Sequence, residues 1–229
     1  MAVVAIDNDE CIGSWSDISI LHHFIVHECK QKPSIPMFIA IMKKSGCFRP
    51  GLRKFYDTLL MLKQKRKVSK IFMCTAAKGK SGWVHFLKKV VEAWYGRHIY
   101  DGVIFNEMIK DWHEENGTSF TDKFGCVYKD MNMVRKMAKA RTNEIVIAID
   151  DKPTYIMNGF AIPTKPYYAD VDLIKEGLQF LTFPSEKHQK YYISYIESYG
   201  KGAHPKQVSN SKNDTDLLST SHILNSYFA

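Results

Sequence analysis

AVVAIDNDEC, residues Ala2 to Cys11, runs an apolar strand directly into two carboxylates, Asp7 and Asp9. Side chains alternate faces along an extended backbone, so Asp7 and Asp9 leave the strand end on the same side. Two carboxylates placed this way can share a divalent ion, or divide the work of nucleophile and general acid/base. They can also simply form the turn that follows a strand. The choice depends on which partners the rest of the chain supplies.

Outward from that stretch, apolar runs of strand type alternate with segments of helical spacing. KIFMCT ends at Thr75, VIF covers 103–105, EIVIAIDDKP carries a strand from Ile145 to Ile149 that ends in Asp150 and Asp151, and a short strand is expected near Phe160. Between them, Ser16 or Asp17 is placed to cap a helix through Ile18, Leu21 and Ile25. FRPGLRKFYDTLLMLK carries Leu52, Phe55, Leu59 and Leu62 on one face, and Trp83, Phe86, Leu87, Val90, Val91 and Trp94 form a second apolar stripe. Helices are also expected over 130–140 and 170–181, and a polar, irregular stretch up to Phe124. This alternation predicts an α/β fold, a parallel sheet wrapped by helices. In such sheets ligands bind beyond the carboxyl ends of the strands, near the switch in strand order. Asp7, Asp9, Thr75, Asp150 and Asp151 all stand at such ends. Singly each is an ordinary turn former or cap; together they define one crevice.

Composition narrows the partners. The 229 residues are 45% hydrophobic and 24% charged, as in ordinary globular proteins. The apolar runs are shorter than a membrane span and no basic region precedes an apolar one at the N-terminus, so a soluble intracellular protein, cytoplasmic or nuclear, with no membrane partner is expected. Five scattered cysteines suggest reduced thiols rather than a disulfide framework or a four-thiolate zinc site. The net charge of +8 is concentrated: residues 43–89 hold fourteen Lys or Arg and a single acid, Asp57. That segment, with KQKRK at 63–67, favours a phosphorylated or nucleic-acid partner, or is a set of solvated helix faces. His22, His23, His27 and Cys29 cluster, with His23 and His27 one helical turn apart, but the second histidine and glutamate of a zinc-protease helix are missing. Trp83 and Trp94 fit core packing better than base stacking.

The order DNDEC, FRPGLRKF, IFMCTAA, YKDM and VIAIDDKP resembles the haloacid-dehalogenase-like phosphatases, and within them the FCP/SCP-type (NIF-like) carboxy-terminal-domain phosphatases. That family has D-x-D-x-[TV], an R-P-G before a helix, a strand ending in T-A, a K-D-L and an I-[LV]-D-[ND]-x-P. The likeness runs from about Ala2 to Phe183. It implies a HAD-like Rossmannoid three-layer sandwich with a mainly parallel central sheet, insertions after the first and second core strands, a phosphatase domain over 1–199 and a polar, poorly packed tail over 200–229 whose apolar end, ILNSYF, could dock. It further implies that Asp7 is the nucleophile and Asp9 the general acid/base. Thr75, Ala76, Lys129 and Arg49 would contact substrate, while Asp7, Asp9 through its carbonyl, Asp150 and Asp151 would hold Mg2+. Two residues depart from the pattern. Cys11 stands where Thr or Val is usual, small enough to keep the turn though the lost hydroxyl could loosen the loop, and Asp151 stands where Asn is common, which adds a negative charge that could tighten metal binding. The intervals from Asp9 to Arg49 and from Thr75 to Lys129 are also long, as expected of insertions that shape substrate entry.

The resulting expectation is a Mg2+-dependent phosphomonoesterase acting through an aspartyl-phosphate, with a phosphorylated serine or threonine of a protein as substrate. A phosphatase for nucleic-acid ends or nucleotides is the alternative that the basic segment suits. A catalytically inactive module binding phosphorylated or nucleic-acid partners is a third, and the intact acid, hydroxyl and lysine set argues against it.

Overall fold

The computed structural model describes residues 1–80, 82–169, 183–203 and 214–229. In chain order the elements are β1 (Ala2–Ile6), α1 (Ser16–His27), α2 (Ile35–Lys44), α3 (Leu52–Gln64), β2 (Val68–Cys74), α4 (Trp83–Tyr95), β3 (Gly102–Ile104) and α5 (Asn106–Asn116). They continue with β4 (Lys129–Asp130), α6 (Met131–Ala138), β5 (Ile145–Asp150), β6 (Ile156–Met157), β7 (Phe160–Pro163), α7 (Glu186–Ala203) and α8 (Asp216–Tyr227).

Five strands form one sheet in the order β3-β2-β1-β5-β7, and every neighbouring pair is parallel. Alternation along the strands sends Val4, Ile6, Met73, Ile147 and Ile149 into a core shared with α1 to α4 and α8. The intervening Val3, Ala5, Phe72, Cys74, Val146 and Ala148 pack on Ile109 of α5 and on Met131, Met133 and Val134 of α6. Because both faces are covered, the strands read as nearly continuous apolar runs rather than as alternating ones. The architecture is the α/β three-layer sandwich expected, and the strand order reverses between β1 and β5. β1 therefore ends at the switch point, with Asp7 and Asp9 directly beyond it.

Several elements differ from expectation. The stretch expected to be irregular up to Phe124 contains α5; Ile109 and Trp112 give it an apolar contact stripe that its polar composition conceals. The C-terminal segment is not a loose tail throughout: α8 lies against α3, with Leu217 and Leu224 fully buried. The helix expected over 170–181 falls outside the described residues. α1 does begin at Ser16, but neither Ser16 nor Asp17 is its cap residue; Trp15 is, without a side-chain bond. The long interval after β1 is filled by α1 and α2, and the one after β2 ends in a turn around Gly125.

Candidate active site

The backbone N–H of Asp7 donates to the carbonyl of Ile149 at 2.8 Å, which locks the end of β1 to β5 and brings Asp7 beside Asp150. Lys129 arrives from the opposite direction. Its backbone pairs with Ile156 in the short β4–β6 ribbon, while the next residue, Asp130, caps α6 by accepting from the N–H of Asn132 at 2.9 Å. So placed, the Lys129 ammonium donates to Asp7 Oδ1 at 2.6 Å and to Asp150 Oδ2 at 2.7 Å, all three groups being buried.

Asp151 completes a set of three carboxylates; one oxygen each from Asp7, Asp150 and Asp151 lies within 4.8 Å of the other two. One buried ammonium, with the half-exposed Lys152 acting on Asp151 from outside, does not balance two buried carboxylates and a part-buried third. Burial raises Asp7 well above the usual carboxylate range; Lys129 opposes this, while Asp150 and Asp151 reinforce it. Asp151 is raised for the same reasons, burial and then Asp150. Burial alone would lower the lysine, but Asp7 and Asp150 outweigh it and keep Lys129 charged. One oxygen of Asp151, Oδ2, is buried without a hydrogen-bond partner. An excess of buried negative charge, an unpartnered oxygen and an all-oxygen donor set fit a hard divalent cation such as Mg2+.

Asp9 stands apart from that trio. Its carboxylate accepts from the Thr75 hydroxyl at 3.4 Å, and Thr75 Oγ1 in turn accepts from the N–H of Ala77 at 3.1 Å. Burial and the neighbouring Glu10 push Asp9 up to about 6, which suits a group that must both give and take a proton. Asp7, Asp9, Thr75, Ala76, Lys129, Asp150 and Asp151 all line one crevice of about 380 Å3.

Arg49 does not join them. Its side chain is fully buried and donates to Asp214 Oδ2 at 3.1 and 2.9 Å, to Asp216 at 3.3 Å, and to the carbonyls of Cys11 at 2.7 Å and Lys165 at 2.8 Å. With its donors spent on the protein, it cannot bind substrate; it fastens α8 to the loop that carries Asp7 and Asp9. Gly51 belongs to the same clamp. It starts α3 at φ +79°, and a Cβ there would come within 3.1 Å of Leu218 on α8.

Cys11 does not loosen the loop. Its buried thiol donates to the Ile149 carbonyl at 3.6 Å and accepts from the Thr164 hydroxyl at 3.4 Å, so it ties the loop to β5 and to the chain beyond β7. Gly13 closes the same loop where a Cβ would fall 2.0 Å from the Trp15 ring.

Among the lining residues that were not foreseen are Asn106, Lys152 and Tyr155. Asn106 follows β3 at its carboxyl end and donates to the Ala76 carbonyl at 3.0 Å, so the strand-end rule that selected Thr75 would have found it. Lys152, next to Asp151, is half-exposed and 3.7 Å from Glu10. Tyr155 and the turn around Cys126 carry no comparable signal.

The basic segment is less positive in space than in sequence. Arg49 is spent on Asp214 and Asp216, Lys63 and Lys70 meet Asp101, and Lys88 meets Glu92. His23 and His27 stack at 4.3 Å but belong to no metal-ligand group among the described residues. Trp83 is buried and Trp94 lies flat on Phe48, 4.2 Å between centroids. Among the described residues no helix is long and apolar enough to cross a membrane.

No family model matches the chain, and no curated protein does. Two of the solved structures that resemble it share the name Fcp1. One is Fcp1, described as an essential RNA polymerase II CTD phosphatase, and the other is a variant of the fission yeast RNA polymerase II CTD phosphatase Fcp1 bound to beryllium fluoride. Each is 14% identical, with a TM-score of 0.46, over 99% of this chain and 62% of the other. The chain thus spans less than two thirds of their length, and residue roles here rest on its own geometry.

Proposed function

We propose that the protein is a Mg2+-dependent phosphomonoesterase working through an aspartyl-phosphate on Asp7. The observation that carries the reading is the Lys129 ammonium bridging Asp7 and Asp150 at the switch point, with the unpartnered Asp151 oxygen beside them and Asp9 on the other side. Lys129 holds Asp7 Oδ1 and so orients the carboxylate. An Asp7 oxygen attacks phosphorus, the bond from phosphorus to the ester oxygen breaks, and Asp9 passes its proton to that oxygen. In the second half, Asp9, now a carboxylate, takes a proton from water; the water oxygen attacks phosphorus, and Asp7 departs with inorganic phosphate released. The Thr75 hydroxyl and the lysine stabilise a phosphoryl group whose transfer depends on positioning and charge. Asp7, Asp150, Asp151 and the Asp9 carbonyl are the ligands proposed for Mg2+, which when bound supplies positive charge to the phosphoryl oxygens.

The test is hydrolysis of 4-nitrophenyl phosphate with Mg2+ and with EDTA, by the wild type and by Asp7→Asn. The wild type should need the metal, and Asp7→Asn should lose at least about 1,000-fold in kcat, as nucleophile removal does elsewhere. Equal rates in the two proteins would refute the assignment. The leaving group expected from the sequence resemblance is a serine or threonine side chain of a protein, with a nucleic-acid end or the nucleoside of a nucleotide as the alternative. The space next to Asp9 bears on that choice.

A further inference from the structure

A second space of about 590 Å3 opens on the far side of Asp9. Asp9 and Ala77 line both it and the phosphoryl crevice, so the two spaces adjoin at the residue assigned to protonate the leaving oxygen. A group esterified to the phosphate and protonated by Asp9 lies on the side of the crevice that faces this space. Much of its lining is aromatic, with His23 and Phe24 of α1, Trp83 of α4 and Tyr191 of α7, and Glu28 and Lys78 add charge of both signs. Phe24 and Tyr191 lie nearly parallel, 30° apart with centroids at 6.1 Å, and Tyr191 is 60% exposed, so its ring is available to a ligand. Ser16 and Ser19 also line the space, the Ser19 hydroxyl donating to the Ser16 carbonyl at 2.6 Å and keeping its lone pairs as acceptors.

On these grounds we propose that the substrate is a nucleoside monophosphate, its base seated among the aromatic rings and its phosphate among Asp7, Thr75 and Lys129. The inference rests on reading the crevice as a phosphatase site. The volume falls in the range of about 300–1,000 Å3 typical of small-molecule sites, larger than a single phenyl ring requires. Aromatic walls offer π faces that bases of any identity can stack on. The methylene of a phosphoserine presents no face to them, and a ribose alone would leave the aromatic wall unused. Ser16 and Ser19 supply polar groups of the kind a sugar can bond.

Adenosine 5′-monophosphate and ribose 5-phosphate share the same ester and differ only by the base, so their comparison isolates the aromatic pocket. With Mg2+ present, kcat/KM for the nucleotide should exceed that for ribose 5-phosphate and for a phosphoserine peptide by at least about 10-fold. Tyr191→Ala and His23→Ala, both at exposed positions, should shrink that ratio to within about 3-fold of unity. Calorimetric titration with adenosine, guanosine, cytidine or uridine needs no turnover; at least one should bind about 10-fold more tightly than ribose, and Tyr191→Ala should abolish the difference. Hydrolysis of all three esters at equal efficiency, or a phosphoserine peptide preferred, would overturn the nucleotide assignment and leave the phosphatase standing. Nucleoside binding without hydrolysis of any ester would do the reverse. No nucleoside binding above ribose overturns the pocket assignment whatever the rates.

Discussion

Lys129 is the residue on which the site balances, because it neutralises two buried carboxylates, distant in sequence, that the paired strands β1 and β5 bring side by side. Removing one member of such a cluster leaves uncompensated buried charge, at a cost of about 3–5 kcal/mol. Lys129→Met should accordingly lower the unfolding free energy by about 3 kcal/mol in urea titrations with EDTA present, part of the cost being avoided by protonation of a carboxylate. A loss below about 1 kcal/mol would show that the bridge is not formed in solution. Arg49 makes a parallel case with a different chemistry. Its planar fork serves Asp214, Asp216 and two carbonyls together, a geometry that a lysine cannot reproduce. Arg49→Lys should therefore destabilise nearly as much as Arg49→Met, by about 2 kcal/mol or more. If lysine restores wild-type stability, charge alone matters there and the clamp is misdescribed. Position in the sequence marked both residues as special, but only Lys129 reaches the crevice; an R-P-G triplet reads the same whether its arginine faces substrate or a returning C-terminal helix.

Elements were legible where burial and period agree. The strands β1, β2 and β5 have few polar interruptions because both sheet faces are covered, and α3 and α4 show single apolar stripes. α5 and α8 were not legible, since each contacts the core through a few side chains on an otherwise polar surface, and only the packed partner shows which ones matter. Site residues at strand ends were legible by the same logic, whereas Tyr155 and the Cys126 turn come from loops whose path no local pattern dictates. The packing of α1 on α2 and α4 carries a pH signature. His22 is buried against Phe38, Trp83 and Phe86, at 6.1, 5.3 and 4.8 Å, and burial, with His23 and His27 adding repulsion, lowers it to about 4. An unfolded histidine titrates near 6.5, so between those values the unfolded chain binds the extra proton. The stability gained from a neutral His22 is thus complete above about pH 6.5 and is lost as the pH falls toward 4. His22→Phe should keep about 1 kcal/mol that the wild type loses between pH 7 and 4.5, discounted for partial solvent access. Parallel stability curves for the two proteins would show that the ring is not held neutral by this packing.

At the scale of the whole molecule, the sheet's switch point gathers more negative charge than the protein neutralises, and folding must carry that cost until a cation arrives. Asp7, Asp150 and Asp151 have one buried ammonium among them, Lys152 opposes the charge of Asp151 only from the rim, and burial with mutual repulsion still raises Asp7 and Asp151. A cation that binds only the folded state stabilises it by mass action, about 2.7 kcal/mol at a hundredfold excess over Kd. For a chain of this size each kcal/mol moves the melting temperature by about 2–4 °C. Saturating Mg2+ should therefore raise the melting point of the wild type by about 5–10 °C. Asp151→Asn changes both sides of the balance. It removes one of the crowded charges, so the metal-free variant should melt at or slightly above the metal-free wild type, and it weakens the cation site, so the Mg2+-induced rise should shrink to less than half. The two melting curves should approach or cross as Mg2+ is added. A variant that melts well below the wild type in EDTA, yet gains as much from Mg2+, would mean that Asp151 supports the fold rather than the metal, and that the charge surplus at the head of the sheet is balanced in some other way.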